Sequence, residues 1–123
     1  MNIVTLLSAN ELFHRFAQTK VAPRLAYKIM KFCKSVEIEE EFYNNRRNEI
    51  ISTYAEKDEN GYPIVEGDRV NIIKDKIAEA NTAMLELNNM DVEAPNVKFT
   101  LDELEVFELS VADMFVLDEF IEN

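Results

Sequence analysis

From Pro23 to about Glu56 the chain reads PRLAYKIMKFCKSVEIEEEFYNNRRNEIISTYAE, and no glycine or proline follows the opening residue. A breaker-free stretch of this length, with apolar residues returning in steps of four and three, is expected to form one long amphipathic helix. Its seam runs through Ile29, Cys33, Val36, Glu40, Tyr43, Arg47, Ile50 and Tyr54, the register of antiparallel hairpins and coiled coils. Glu40 and Arg47 interrupt it, either as a register-setting polar pair or as the flank of the stripe; the flank is the preferred reading. Leu25, Phe32 and Phe42 widen the apolar face.

The rest of the chain has to cover that helix or leave part of it free. Ser8-Ala9-Asn10-Glu11 has the form of a capping box, which predicts a first helix from about Ala9 presenting Leu12, Phe13, Phe16 and Ala17. Ala22-Pro23 ends it, and the proline suits the first turn of the long helix. Residues 57–68, KDENGYPIVEGD, hold both glycines. Asn60-Gly61 is a tight-turn signal, and Tyr62 to Val65 reads as a short edge strand or extended arm. From about Val70 to Asn88 a helical pattern returns in Ile73, Ile77, Ala80, Met84 and Leu87, the antiparallel partner of the long helix.

Length arithmetic splits the long helix in two. At 1.5 Å per residue it spans roughly 50 Å and its partner about 27 Å. With Tyr54 near Val70, Leu87 reaches only to about Glu37. The segment from Arg24 to Ser35 then needs other cover: the first helix, the C-terminal part, or another chain.

Beyond Asn89 the composition changes. Met90 to Glu93 and Val97 to Leu101 alternate like strands, Val106 to Leu109 reads as a last strand pairing near Val92, and Thr100-x-x-Glu103 offers a short helical turn instead. Ser110-x-x-Asp113 caps a final helix through about Glu122. That helix carries Val111, Met114, Phe115, Val116, Leu117, Phe120 and Ile121 on more than one face, so it is buried on two sides or presents a binding surface.

Charge narrows the function classes. The chain has 24 acidic and 13 basic side chains, a net charge of −11, which argues against a binder of duplex DNA or anionic membrane. The imbalance is uneven: residues 1–35 carry a balance of +5, residues 89–123 one of −9. Either the two ends pack together and neutralise each other, or they form a two-sided surface that docks head to tail. The single cysteine, Cys33, excludes an internal disulfide and reads as a structural thiol. The apolar opening MNIVTLL is too short for a signal peptide, and no apolar run approaches the roughly 20 residues of a membrane span, so the expected setting is cytosolic.

No catalytic constellation emerges. His14 is the only histidine, and it has no second ligand or nucleophile in a recognisable pattern. DENG lacks the later oxygen ligands of a calcium loop. The Glu37, Glu39, Glu40, Glu41 run lacks the Glu-x-x-His pairs of a di-metal bundle and reads as a solvated face. Asn44 to Asn48 forms a polar collar. No cofactor, metal ligand or catalytic residue is therefore expected, and the protein is expected not to be an enzyme.

The order of pieces, a lysine-rich N-terminal helix, "YAEKDENGYPIVEGD", "IIKDKIAEANTAMLELNNMDVEAP" and "LDELEVFELSVADMFVLDEFI", is similar to a family of small uncharacterised bacteriophage and prophage proteins of about 120 residues. The resemblance implies a viral origin and a role through protein contacts; it brings no reaction and no binding residues. The fold expected is α+β, mainly α, in one domain over 1–123: a helical hairpin at about 23–88 with a flanking N-terminal helix, then a small β element and a C-terminal helix at about 89–123. The function expected is a non-enzymatic phage protein acting in a virion, its assembly or a multi-subunit complex, in the host cytoplasm or on the virion. The alternative is an acidic inhibitor of a host defence or nucleic-acid-binding protein, using Glu105, Glu108, Asp113, Asp118 and Glu119 as phosphate-like charges. Partners are expected to be protein, self or heterologous, including a homo-oligomer, without direct nucleic-acid or membrane binding. The residues expected to meet a partner are Arg24, Lys28, Lys31 and Phe32 on the long helix, with Phe115 and Phe120 near the C-terminus.

Overall fold

An asparagine, not a serine, starts the first helix. In the computed structural model, which describes residues 1–122, α1 runs over Ile3–Arg15 and the Asn2 side chain accepts from the Val4 N–H at 2.8 Å. The expected start near Ala9, capped by Ser8, is thus corrected. The earlier apolar positions Ile3 and Leu6 are fully buried, so the helix is worth extending back to the first available cap. The long helix, α2, occupies Pro23–Tyr54 with proline in its first turn, as the sequence requires.

The chain gathers into two compact units, one of Met1–Glu39 with the segment from Asp91 on, the other of Glu40–Met90; α2 contributes to both. In the first unit the core joins Leu6, Ala9, Leu12 and Phe13 of α1 to Leu25, Phe32 and Val36 of α2. Phe99, Leu104, Phe107, Leu117 and Phe120 complete it from the C-terminal segment. Four rings form its centre: Phe13 lies 5.2 Å from Phe32 and 4.9 Å from Phe99, and Phe32 lies 4.9 Å from Phe120. The Phe13–Phe32 and Phe32–Phe120 pairs are edge-to-face, an arrangement that adds about 0.5–1.5 kcal/mol each beyond the area they bury. The opening half of α2, left bare by the length arithmetic, thus receives its cover within the chain from α1 and the C-terminal segment.

That segment is built from short capped helices. α4 (Leu101–Leu104) carries a capping box from Thr100 and Glu103, and α5 (Val111–Leu117) one from Ser110 and Asp113, continuing as a 3-10 turn over Asp118–Phe120. The strand expected at Val106 to Leu109 does not form. Phe107 is drawn into the core as a turn residue whose N–H bonds the Leu104 carbonyl. The extended stretches pair with chain termini instead: Val92 N–H donates to Met1 O at 2.7 Å, and Phe99 bridges Ile121 in parallel.

In the second unit the hairpin is antiparallel. Ile73 N–H donates to Tyr54 O at 2.9 Å at one end, and the Tyr43 hydroxyl donates to Asn88 Oδ1 at 2.7 Å at the other. α3 spans Ile77–Asn88 after a 3-10 turn at Lys74–Lys76, shorter than the expected start at Val70. Residues 70–73 are held extended by the arm, where Ile72 bridges Ala55 and Val70 pairs with Val65. The two-stranded sheet is here, β1 (Val65–Glu66) against β2 (Arg69–Val70), rather than beside the C-terminal helix. Gly67 at φ 65° lies in the reversal between the two strands, and Gly61 at φ 82° in the preceding turn closed by the Lys57–Pro63 bridge, both in a region that L side chains rarely adopt. Ile50, Ala80 and Leu87 are buried, while Glu40 and Arg47 are exposed, in keeping with a flank.

Candidate functional site

Two carboxylates do double duty in the first unit, capping a helix and tying it to another. Glu103, at the N3 position of α4, accepts from the Thr100 N–H at 2.9 Å and from Lys28 Nζ of α2 at 2.9 Å. The lysine, followed by the Thr100 N–H, holds its carboxyl below the usual range. Lys28 also lies 5.1 Å over the ring of Phe99. Asp113, at N3 of α5, accepts from the Ser110 N–H at 3.0 Å and from Arg15 of α1 at 2.8 Å. Its carboxyl is likewise lowered, first by the Ser110 N–H and then by the arginine. The basic and acidic ends of the sequence therefore meet in part within the chain, with the Met1 ammonium on Asp91 at 2.8 Å as a third pair.

What those pairs leave over is the candidate surface. Among the described residues Lys20, Arg24 and Lys34 enter no ion pair, and Lys31 sits 5.6 Å over the exposed Tyr27 ring. Beside α5, a cleft of about 520 Å³ is lined by Ser8, Glu11, Leu12, His14, Arg15, Asp113 and Val116. Ser8 and Val116 also floor an adjoining hollow walled by Val4, Thr5 and Phe115. Phe115 is 79% exposed and Val111, one turn earlier, 75%. A second cleft, about 410 Å³ and mostly apolar, lies between Val21, Ala22, Arg24, Leu25, Asp102, Glu103 and Val106.

The six residues expected to meet a partner divide accordingly. Arg24, Lys31 and Phe115 are at the surface, and Lys28 is half-buried in its pair with Glu103. Phe32 and Phe120 are 0% and 1% exposed and face each other in the core, so neither has surface to offer; this corrects their assignment. The residues passed over were Val111, Tyr27, Met30 and Ile38, the last 76% exposed. Their signal was in the sequence: Tyr27, Met30, Lys34 and Ile38 recur at helical spacing on the side of α2 opposite Leu25, Phe32 and Val36.

His14 is exposed on α1, and among the described residues no three His, Cys, Asp or Glu side chains converge as a metal ion would require. No helix among them is long and apolar enough to cross a membrane. No protein-family model matches the chain, and neither a curated protein nor a solved structure is found similar to it.

Proposed function

We propose that this chain is a non-enzymatic protein that works by binding protein, as a component of an assembly. The carrying observation is the pair Val111 and Phe115, two large apolar side chains one turn apart and solvent-exposed on α5, with Phe115 lining a hollow shared with α1. α5 commits Leu117, and in part Val116, to the core, while Val111 and Phe115 stay in water; an exposed apolar cluster with a polar rim is the usual anatomy of a contact site. The sequence resemblance extends this reading to a phage-encoded protein serving a virion, its assembly or a multi-subunit complex in the host cytoplasm.

The test compares the full-length chain with Phe115→Ser as bait for proteins of the cell that produces it, with circular dichroism to check that both are folded. Retention of a discrete protein by the native chain and not by the variant supports the reading. An identical set on both baits refutes it. If retention depends on Glu108, Asp118 and Glu119 rather than on Phe115, and vanishes at high salt, the acidic-inhibitor alternative takes its place.

A further inference from the structure

We propose that the partner includes a second copy of this chain, bound head to tail: the outward face of the opening half of α2 in one copy seats against the Val111–Phe115 face of α5 in the next. This rests on the protein-binding reading above and adds the identity of a partner.

Both faces belong to the first unit, and they are opposites in charge while alike in apolar content. On α2, Tyr27, Met30 and Ile38 are exposed, and among them stand Arg24, Lys31 and Lys34, with Glu37 at the edge. On α5, the exposed Val111 and Phe115 are accompanied by Glu108, Asp118 and Glu119, all exposed. The only lysine of residues 89–123, Lys98, is occupied by the Glu119 carbonyl. Glu103 and Asp113 are already committed to Lys28 and Arg15, and among the described residues neither Arg24, Lys31 and Lys34 on one face nor Glu108, Asp118 and Glu119 on the other enter an ion pair.

Symmetry then selects the arrangement. A two-fold contact of α2 face on α2 face would bring Lys31 and Lys34 of one copy against the same cluster of the other, and α5 on α5 would oppose the acids. Only the unlike pairing matches charge and buries both apolar sets. Such a contact is heterologous, so each copy keeps one unused face and the association can continue into a ring or a filament.

The experiment is sedimentation velocity of the full-length chain at about 0.05 M and about 0.5 M salt, conditions between which screening changes strongly. Species that grow with concentration at low salt and dissociate at high salt are expected. Lys31→Glu with Lys34→Glu, and separately Phe115→Ser, should each weaken self-association by about tenfold or more, since each removes one side of the contact. Mixing the two variants should recover a dimer that cannot extend, because each retains the face the other lacks. That recovery also demonstrates that both variants are folded. A native chain that is monomeric at both salts overturns the inference, as does a closed dimer that either variant still forms alone. Should the chain stay monomeric while Phe115-dependent capture of another protein persists, protein binding stands and self-association falls.

Discussion

Replacing Phe32 by alanine separates a core residue from a surface one. Phe32 is 0% exposed and its ring meets Phe13 at 5.2 Å, Phe120 at 4.9 Å and Phe99 at 6.0 Å, so truncation removes a whole buried ring and three aromatic contacts from the centre of the first unit. A buried Phe→Ala change costs about 3–5 kcal/mol through lost transfer free energy and the cavity left behind. The helices around it are joined by turns and ion pairs, which limits collapse into the void and points to the upper part of that range. Against a total stability of about 5–15 kcal/mol, this is a large fraction. With a urea m-value of about 1–3 kcal/mol/M, the midpoint should fall by about 2 M. Phe115→Ala, at 79% exposed, should change the unfolding free energy by less than about 0.5 kcal/mol. The assay is urea unfolding followed by circular dichroism for wild type and both variants. A cost below about 1 kcal/mol at Phe32, or a cost at Phe115 equal to that at Phe32, would refute the packing described for the first unit.

Two smaller perturbations test the double use of the capping carboxylates. Thr100→Ala removes the side-chain oxygen that the Glu103 N–H donates to at 3.1 Å, and should cost about 1 kcal/mol of unfolding free energy in the same urea assay. Glu103 has a folded-state pKa below its ordinary value of 4.5, so the unfolded chain binds more protons than the folded one as pH falls through that region. Its contribution is therefore complete at neutral pH and is lost on acidification below about 4.5 toward the lowered folded value. Glu103→Gln should flatten the fall in urea midpoint between neutral pH and pH 3, and Lys28→Ala, which removes the largest cause of the shift, should flatten it in the same direction. An unchanged slope in both would show that the Lys28–Glu103 pair does not contribute to acid sensitivity.

Much of the helical content was legible because helix signals are local. Pro23, the uninterrupted run after it, and the two boxes Thr100–Glu103 and Ser110–Asp113 act over one turn of backbone, and each appears where the spacing puts it. The capping box read at Ser8 failed for an instructive reason. The same local pattern was present, but burial of Ile3 and Leu6 on a core assembled from distant residues favoured an earlier start. Strand readings fared worse, since alternation does not say whether a neighbour exists to complete the ladder. Val106 to Leu109 reads as a strand and does not form one, because the core takes Phe107 and leaves Val106 at the surface.

Of the residues read from charge and hydropathy as partner contacts, Arg24, Lys31 and Phe115 lie at the surface, while Phe32 and Phe120, drawn from the same patterns, belong to the core. Apolarity states that a side chain prefers to be covered; only the arrangement of the chain states by what. By itself, the sequence determined a long continuous helix, an acidic C-terminal third against a basic N-terminal one, and a helix cap at Ser110, while it left Thr100 open between a strand and a cap. The tertiary structure decided that the opening half of α2 is covered by its own chain, that Phe32 and Phe120 meet each other while Phe115 meets solvent, and that Lys28 and Arg15 are spent on Glu103 and Asp113. Those outcomes depend on contacts between residues up to 98 positions apart, whose free energy exists only once the ends of the chain have been brought together.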